Sequence, residues 1–510
     1  MFLLIDILNG SGMKVKNVSI VEPEFRVPCG DAQRVGCYNG GQSHYKKRVS
    51  SSTLRMEGRF LHSSRHEDRS NARPREPVDL KLMQVLVAVF FAALINVVVL
   101  FALRRRYESD MFRIVALAYV GTLALRYALA VYLWLNHTNP GFSQMFWGDS
   151  QTYDFMGAAL AEGWTHGAST NLWAETLQGR VNSGFIYFVG CIYYVFGRNV
   201  LLMQFINGVI GALTPIVIFE IGLILYDKRV ATTAMLFTAF FPQMIFWSSA
   251  LYKDPAVMFC IAVNILCVFR LRRRLSLSWI AIYVLTAGAL IWLRFYIFYV
   301  VLAAMLAGFF GGHRRGAVLG LVTQLLLVTC VLGLLLLTPV GQEALLQSRF
   351  LDLESLQSSR VDLAARADSG FAAEADVSTI GGLVSALPVG VIYLLFAPFP
   401  WTISNLRQLL ALPDVLAWYA LTPALIVGIG LALKRLRETM PILVFTTALT
   451  LAYGAFLGNV GTAYRQRTQV MMFYFLFIAD GLHRKRHLKS ESELVDEGPL
   501  PRDLVPTVNR

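Results

Sequence analysis

The chain has 510 residues, 55% hydrophobic and only 15% charged, with a mean hydropathy of +0.53. A soluble fold cannot solvate that much apolar surface, so the composition excludes a globular cytosolic enzyme and points to a polytopic membrane protein. The formal net charge of +13 does not indicate nucleic acid either: Lys and Arg cluster at segment ends, at 104–106, 270–274, 434–437 and 484–486, the positive-inside pattern of cytoplasmic turns facing anionic headgroups.

Residues 1–80 alternate charge with Gly and Ser and hold one short apolar start, MFLLIDIL, too short and too acidic for a signal peptide. We expect a disordered tail there. Its basic residues would sit awkwardly outside the membrane, an argument for a start at Met83 rather than Met1. A transmembrane domain over 81–482 follows. Its first span, 82–103, ends in the basic run 104–106, and 112–135 carries the chain back out to a long outer loop, 136–182. Within that loop lies WGDSQTYDFMGAALAEGW, residues 147–164. With Asp149 or Ser150 as cap, a helix starts at 151–154. Asp154, Ala158 and Glu162 then line one face, and Phe155, Met156, Ala159 and Leu160 the other, which predicts an amphipathic interfacial helix.

Apolar segments recur at 183–197, 199–225, 229–250, 255–271, 276–293, 295–311 and 317–338, then at 414–433, 440–458 and 468–482. The total is about 11–13 transmembrane helices in an all-α fold. Basic runs at 228–229, 270–274 and 313–315 fix three turns as cytoplasmic, which places Lys253, Asp254 and Arg294 outside with Asp149. Three apolar segments between Asp149 and Asp254 give the wrong parity for that placement. Two short runs, 184–196 and 383–400, are therefore expected to be re-entrant or interfacial and to floor an outer cavity, since irregular backbone at membrane depth needs protein or water around it. A second outer loop, 339–382, has the spacing of one or two short helices and could form a lid. The tail 483–510 is cytoplasmic. Of six cysteines, Cys29 and Cys37 lie in the polar tail and Cys191, Cys260, Cys267 and Cys330 in apolar segments, so neither a disulfide framework nor a metal site is read from them.

Chemistry concentrates in the outer polar segments. Asp149 and Asp154 are carboxylates beside a lipid phase, where a base can deprotonate a hydroxyl acceptor. A helix cap accounts for Asp149 as well as a base does, and a solvated face accounts for Asp154 and Glu162. In WSSALYKDP, 247–255, Lys253 is a point charge suited to phosphate. Asp254, followed by Pro255, is explained equally by chemistry and by a helix start. Arg294, Arg465 and Arg467 break the positive-inside pattern; headgroup anchoring explains each alone, whereas three together with Lys253 suit a lipid-linked phosphate. No Walker A loop, GxGxxG, HExxH or GxSxG occurs, so the energy of any reaction is expected from the substrate itself.

The order and spacing of GDSQTYDFMGAALAEGW, GFIYFVGCIYYVFGRNVLLMQFINGVIGAL, FFPQMIFWSSALYKDP and GNVGTAYRQR, over roughly 110–480, resembles the GT-C class of integral-membrane glycosyltransferases. The chain is similar to the bacterial dolichyl-phosphate-mannose protein mannosyltransferase-like proteins of glycosyltransferase family 39 type. That resemblance implies an outer-face active-site cavity, a polyprenyl-phosphate sugar donor and inverting transfer. It matches Asp149 to the first outer-loop base, Asp154 less closely to a second acid, and Lys253 and Asp254 to a position keeping a phosphate or metal contact; a divalent cation is a possible cofactor. The chain lacks the Asp-Glu pair and the soluble lumenal domain of the protein mannosyltransferases, so a glycan or lipid-linked acceptor is expected, in cell-envelope polysaccharide synthesis at the inner (plasma) membrane. Two other functions fit a polytopic chain with outer arginines. An O-antigen-type polymerase or ligase would rest on the arginines rather than Asp149. A lipid-linked glycan transporter predicts mid-span charge, here chiefly Arg126 and Glu220, and internal repeats.

Overall fold

The computed structural model describes residues 78–137, 148–166, 182–311, 339–365, 369–371, 376–403 and 405–496. Most of the tail 1–80, the apolar segment 317–338, the basic turn 313–315 and parts of both outer loops lie outside the described residues. The chain divides into two compact units; the smaller, 11–83, is described only from Val78 to Met83.

The described residues are helical apart from turns, short 3-10 pieces and one isolated antiparallel bridge between Gly370 and Asn459. Fifteen helices follow in order: α1 Val78–Arg106, α2 Ser109–Asn136, α3 Gly148–His166, α4 Gly184–Phe196, α5 Val200–Leu225, α6 Lys228–Phe240, α7 Pro242–Ser249, α8 Asp254–Arg273, α9 Leu277–Gly311, α10 Pro339–Gln347, α11 Leu353–Ala365, α12 Ile380–Phe396, α13 Leu406–Lys434, α14 Leu436–Phe456 and α15 Val460–Asp496. Only such self-satisfied backbone crosses lipid without unpaired polar groups. Side chains close several starts: Asn199 accepts from Leu202 N, Asp227 from Val230 N and Asn405 from Gln408 N. Seven helices are long and apolar enough to cross a membrane, and the bent pair α6–α7 makes an eighth. The fold is an all-α, polytopic membrane fold.

The basic runs gather at one end. Glu220, near the end of α5, accepts from Arg106, Arg270 and Tyr107. Nearby, Arg273 donates to Ile224 O, Arg435 to Leu225 O and Arg272 to Arg437 O. That grouping is what cytoplasmic turns require, and Glu220, which looked like a mid-span charge, belongs to it.

Helix α9 carries both the expected spans 276–293 and 295–311. At about 1.5 Å per residue its length is far beyond a hydrocarbon core of about 30 Å. It breaks at Arg294, whose backbone is extended (φ −157°, ψ 85°). Arg294 bonds Asp254 at the start of α8, whereas Gly308, fourteen residues later, lies against Val268 and Arg272 near the end of α8. The chain therefore turns back at Arg294. The expected single span 229–250 is broken instead, with α6 and α7 bent by 50° at Phe241. Pro242 has no N–H to continue the ladder, and the next N–H, on Gln243, is taken by the Asp414 carboxylate.

The parity conflict turns on α4, a 13-residue apolar helix shorter than a span needs. Helix α5 leads to the basic end and α6–α7 returns from it, which is two crossings, while α4 packs along α3. Gly157 makes that approach possible: a Cβ there would lie 2.5 Å from Val189 Cγ1. The packing also changes the predicted face of α3. Tyr153, Gly157, Ala158, Leu160 and Ala161 are buried, whereas Phe155 is exposed, because the partner is a helix on one side rather than a flat interface. Helix α12 has outer-end neighbours at its middle, Gly390 meeting Gly454 near the end of α14. Its last carbonyls, with Ala397 O, receive Arg467 of α15.

Candidate active site

Four stretches distant in sequence converge at the end opposite the basic runs. Asp149 stands in the first turn of α3, Lys253 and Asp254 at the start of α8, Arg294 at the break of α9 and Arg465 in the second turn of α15. Arg465 links the two acids: its Nη1 lies 2.6 Å from Asp149 Oδ2 and its Nε 3.6 Å from Asp254 Oδ2. Arg294 Nη2 donates to Asp254 Oδ1 at 2.8 Å, and Gln469, one turn beyond Arg465, approaches the same oxygen at 3.5 Å. Arg294 also donates to Tyr296 Oη at 3.0 Å.

Burial is graded. The side chains of Asp254 and Arg294 are 1% and 3% exposed, Arg465 17% and Asp149 49%, so the cluster opens outward at Asp149. Two aromatic rings wall it, with the Arg465 guanidinium 5.8 Å from the centre of Trp247 and 5.3 Å from that of Tyr252. The connection between α7 and α8 has little regular structure to hold it, and Asn207 of α5 supplies the support by donating to Ala250 O and Tyr252 O, both at 2.8 Å. That support fixes the turn carrying Lys253.

Three cations face two carboxylates. Burial and the neighbouring Arg294 push the Lys253 ammonium down to about 7, since both disfavour its charged form. Lys253 makes no hydrogen bond or ion pair among the described residues. Burial works to raise the Asp149 carboxyl, but Arg465, helped by Lys253 and Arg294, overrides it and holds the group below its ordinary value. Asp149 is thus an anion at neutral pH. Among the described residues no three His, Cys, Asp or Glu side chains come together, and Arg465 lies between Asp149 and Asp254.

Two predicted site residues stand elsewhere. Asp154 is held by Arg198, at 2.6 Å and 3.1 Å, and by Tyr193 Oη at 2.8 Å, so it fastens α3 to α4 and the turn beyond. Arg467 is fully buried, donates to Leu395 O and Ala397 O, and lies 3.6 Å from Asp414 Oδ2. Two positions from Arg465 on a helix, it faces away from the cluster by about 200°. Reading RQR as one basic turn hid that difference. Trp247, Tyr252, Asn207 and Gln469 were not singled out from the sequence; the i, i+4 spacing of Arg465 and Gln469 was the available signal.

The family model described as dolichyl-phosphate-mannose-protein mannosyltransferase matches residues 184–341. That stretch is under half of the chain; it includes Lys253, Asp254 and Arg294 and leaves out Asp149 and Arg465. No curated protein matches the chain. Among solved structures, the Archaeoglobus fulgidus oligosaccharyltransferase in its apo form is 14% identical with a TM-score of 0.39, covering 73% of this chain and 52% of its own. The same oligosaccharyltransferase tethered to an acceptor peptide containing the NVT sequon gives 14%, 0.40, 73% and 50%. The A. fulgidus enzyme AglB with an inhibitory peptide and a dolichol-phosphate gives 14%, 0.36, 61% and 44%. The chain spans about half the length of these proteins, and at such scores no residue correspondence is drawn from them. The resemblance to GT-C integral-membrane glycosyltransferases read from the motifs is met by the family match over residues 184–341.

Proposed function

We propose that this protein is a membrane glycosyltransferase that moves a sugar from a polyprenyl-phosphate donor to a glycan or lipid-linked acceptor on the outer face of the plasma membrane, with inversion at the anomeric carbon. The observation that carries the reading is the surplus of cations at the outer cluster: Lys253, Arg294 and Arg465 against Asp149 and Asp254, with the Lys253 ammonium left for a ligand. The family match and its name support a lipid-phosphate donor.

In the proposed reaction the acceptor hydroxyl oxygen attacks the anomeric carbon while the bond from that carbon to the phosphate oxygen breaks. The hydroxyl proton passes to Asp149, and the polyprenyl phosphate leaves with one more negative charge than the bound diester carried. With Lys253 protonated, the net single positive charge of the cluster suits the diester, and the cations stabilise the charge that grows as the bond breaks. Arg465 keeps Asp149 ionised at a cost in basicity, so proton transfer comes late, once the attacking hydroxyl has become acidic. Asp254, bonded to Arg294 and close to Arg465, sets both guanidinium groups in place. Headgroup recognition by Lys253 also explains why this lysine lies against arginines: a bound phosphate restores its charge.

The test is transfer of labelled sugar from a polyprenyl-phosphate donor by purified protein in lipid. Wild type is expected to transfer; Asp149→Asn is expected to lose about 10²–10⁴-fold in rate with donor binding unchanged. Full activity in the variant would exclude Asp149 as the base and favour an arginine-centred polymerase or ligase.

A further inference from the structure

The deepest pair of the outer cluster, Asp254 and Arg294, is backed by two residues that the proposed reaction has not used. Gln469 of α15 and Tyr453 of α14 are both 0% exposed. Tyr453 Oη donates to Gln469 Oε1 at 2.5 Å, and Gln469 Nε2 is directed at Asp254 Oδ1 at 3.5 Å. The other flank of the pair returns to the same tyrosine. Arg294 Nη1 donates to Tyr296 Oη at 3.0 Å, and the Tyr296 and Tyr453 rings meet edge to face with centres 6.1 Å apart. Side chains from α8, α9, α14 and α15 therefore form a closed circuit: Asp254, Arg294, Tyr296, Tyr453, Gln469 and back to Asp254.

The circuit has a polarity. An ionised carboxylate only accepts, so the Gln469 amide must turn its NH2 to Asp254 and its oxygen to α14. A buried amide oxygen left unmade is costly, and the Tyr453 hydroxyl is the donor that fills it. With Arg294 and Gln469 both on Oδ1, the oxygen of Asp254 turned to Arg465 is Oδ2, 3.6 Å from Arg465 Nε. The setting of Asp254 thus fixes where both guanidinium groups stand, and that setting is held through Gln469 and Tyr453.

We propose that Gln469 and Tyr453 are positioning residues for the transfer: through Asp254 they hold Arg294 and Arg465 where charge grows on the leaving phosphate. They touch no substrate themselves. The inference rests on the sugar-transfer reading. Such positioning is felt as the bond breaks, when the guanidinium groups must meet added charge without reorganising, so it acts on kcat more than on donor KM. A bond kept only for stability has no such split. The molecule holds a control for it: Thr450 and Tyr474 join the same two helices through buried hydroxyls 3.1 Å apart, with no bond to the outer cluster among the described residues.

The experiment measures transfer kinetics and melting of the full chain in lipid, with a polyprenyl-phosphate sugar as donor. Tyr453→Phe, which keeps the ring, and Gln469→Leu are each expected to lower kcat about 10-fold with donor KM within about 2-fold. The double variant is expected to be no slower than Gln469→Leu alone, because the hydroxyl acts through the amide. Tyr474→Phe is expected to keep wild-type kcat, even where its melting falls as far as that of Tyr453→Phe. Wild-type kcat in Tyr453→Phe, an equal loss in Tyr474→Phe, or losses that multiply in the double variant would overturn the inference and leave the sugar-transfer reading standing. Wild type that binds the donor and never transfers its sugar would overturn the reading, and the positioning role with it. The two tyrosine variants decide the matter even where Gln469→Leu fails to fold.

Discussion

The two ends of the bundle each hold a buried cluster of arginine and carboxylate, and the difference between them separates a clamp from a site. At the basic end a single carboxylate, Glu220, has both oxygens bonded, Oε1 by Tyr107 and Oε2 by Arg106 and Arg270. It ties three helices and offers nothing further to accept. Among the described residues at the opposite end, Arg294 Nε is buried without a hydrogen bond, Asp254 Oδ2 and Arg465 Nε face each other at 3.6 Å without one, and Lys253 makes no hydrogen bond or ion pair. The basic end leaves Arg270 Nε without a hydrogen bond as well, so an unmade guanidinium bond marks neither end; what differs is the carboxylate, with both oxygens filled in Glu220 and one open in Asp254. Composition alone does not distinguish the two; the open oxygen of Asp254 and the unbonded Lys253 do.

The largest effects that would sharpen this contrast come from the deepest outer pair. Arg294→Met leaves Asp254 charged, 1% exposed and without its closest partner, and is expected to destabilise the protein by about 3–5 kcal/mol, read as a lowered melting temperature. Arg294→Met with Asp254→Asn should recover much of that loss while leaving transfer defective. Next comes Arg465→Met, expected to slow transfer by about 10²-fold, since it removes the link to Asp149 and one charge at the leaving phosphate. At the other end, Glu220→Gln should lower melting but leave transfer per folded molecule unchanged. Slower transfer in that variant, with the protein still folded, would break the distinction between clamp and site. Asp154→Asn is expected to be mildest, about 1 kcal/mol or less, because its partner Arg198 is 53% exposed.

How much of this was legible in the sequence follows from which physical signal each residue carries. The all-α polytopic fold was written in apolar segments bounded by basic runs, and Glu220 is explained by the same rule once its three partners are seen. The expectation that 184–196 does not cross came from counting charges on either side of it, and the helix there is 13 residues long and packs along α3. Periodicity was less sufficient within α3, where Phe155 turned outward, since the direction of the buried face depends on where α4 lands and only Gly157 hints at it. Asp149, Lys253, Asp254, Arg294 and Arg465 were recognisable as misplaced charges on the outer side, and the fold brings these five together. Arg467 and Asp154 carried the same signal without joining the cluster, because a hydropathy pattern reports the depth of a charge and not the face it turns to. The aromatic wall of Trp247 and Tyr252 and the support from Asn207 have no marker in a chain that is 12% aromatic.

The central claim, that the outer cluster holds the phosphate of a lipid-linked donor, is tested most directly by donor affinity against pH, with a polyprenyl-phosphate sugar binding to the full chain in lipid. Lys253 titrates at about 7 without ligand, and a bound phosphate favours its protonated form, so binding takes up a proton above that pH. The account predicts affinity that is highest below pH 7 and falls as pH rises past it, and affinity that is flat over the same range in Lys253→Arg, which stays charged throughout. Wild-type affinity independent of pH between 6 and 9, or a fall of equal size in Lys253→Arg, would contradict it.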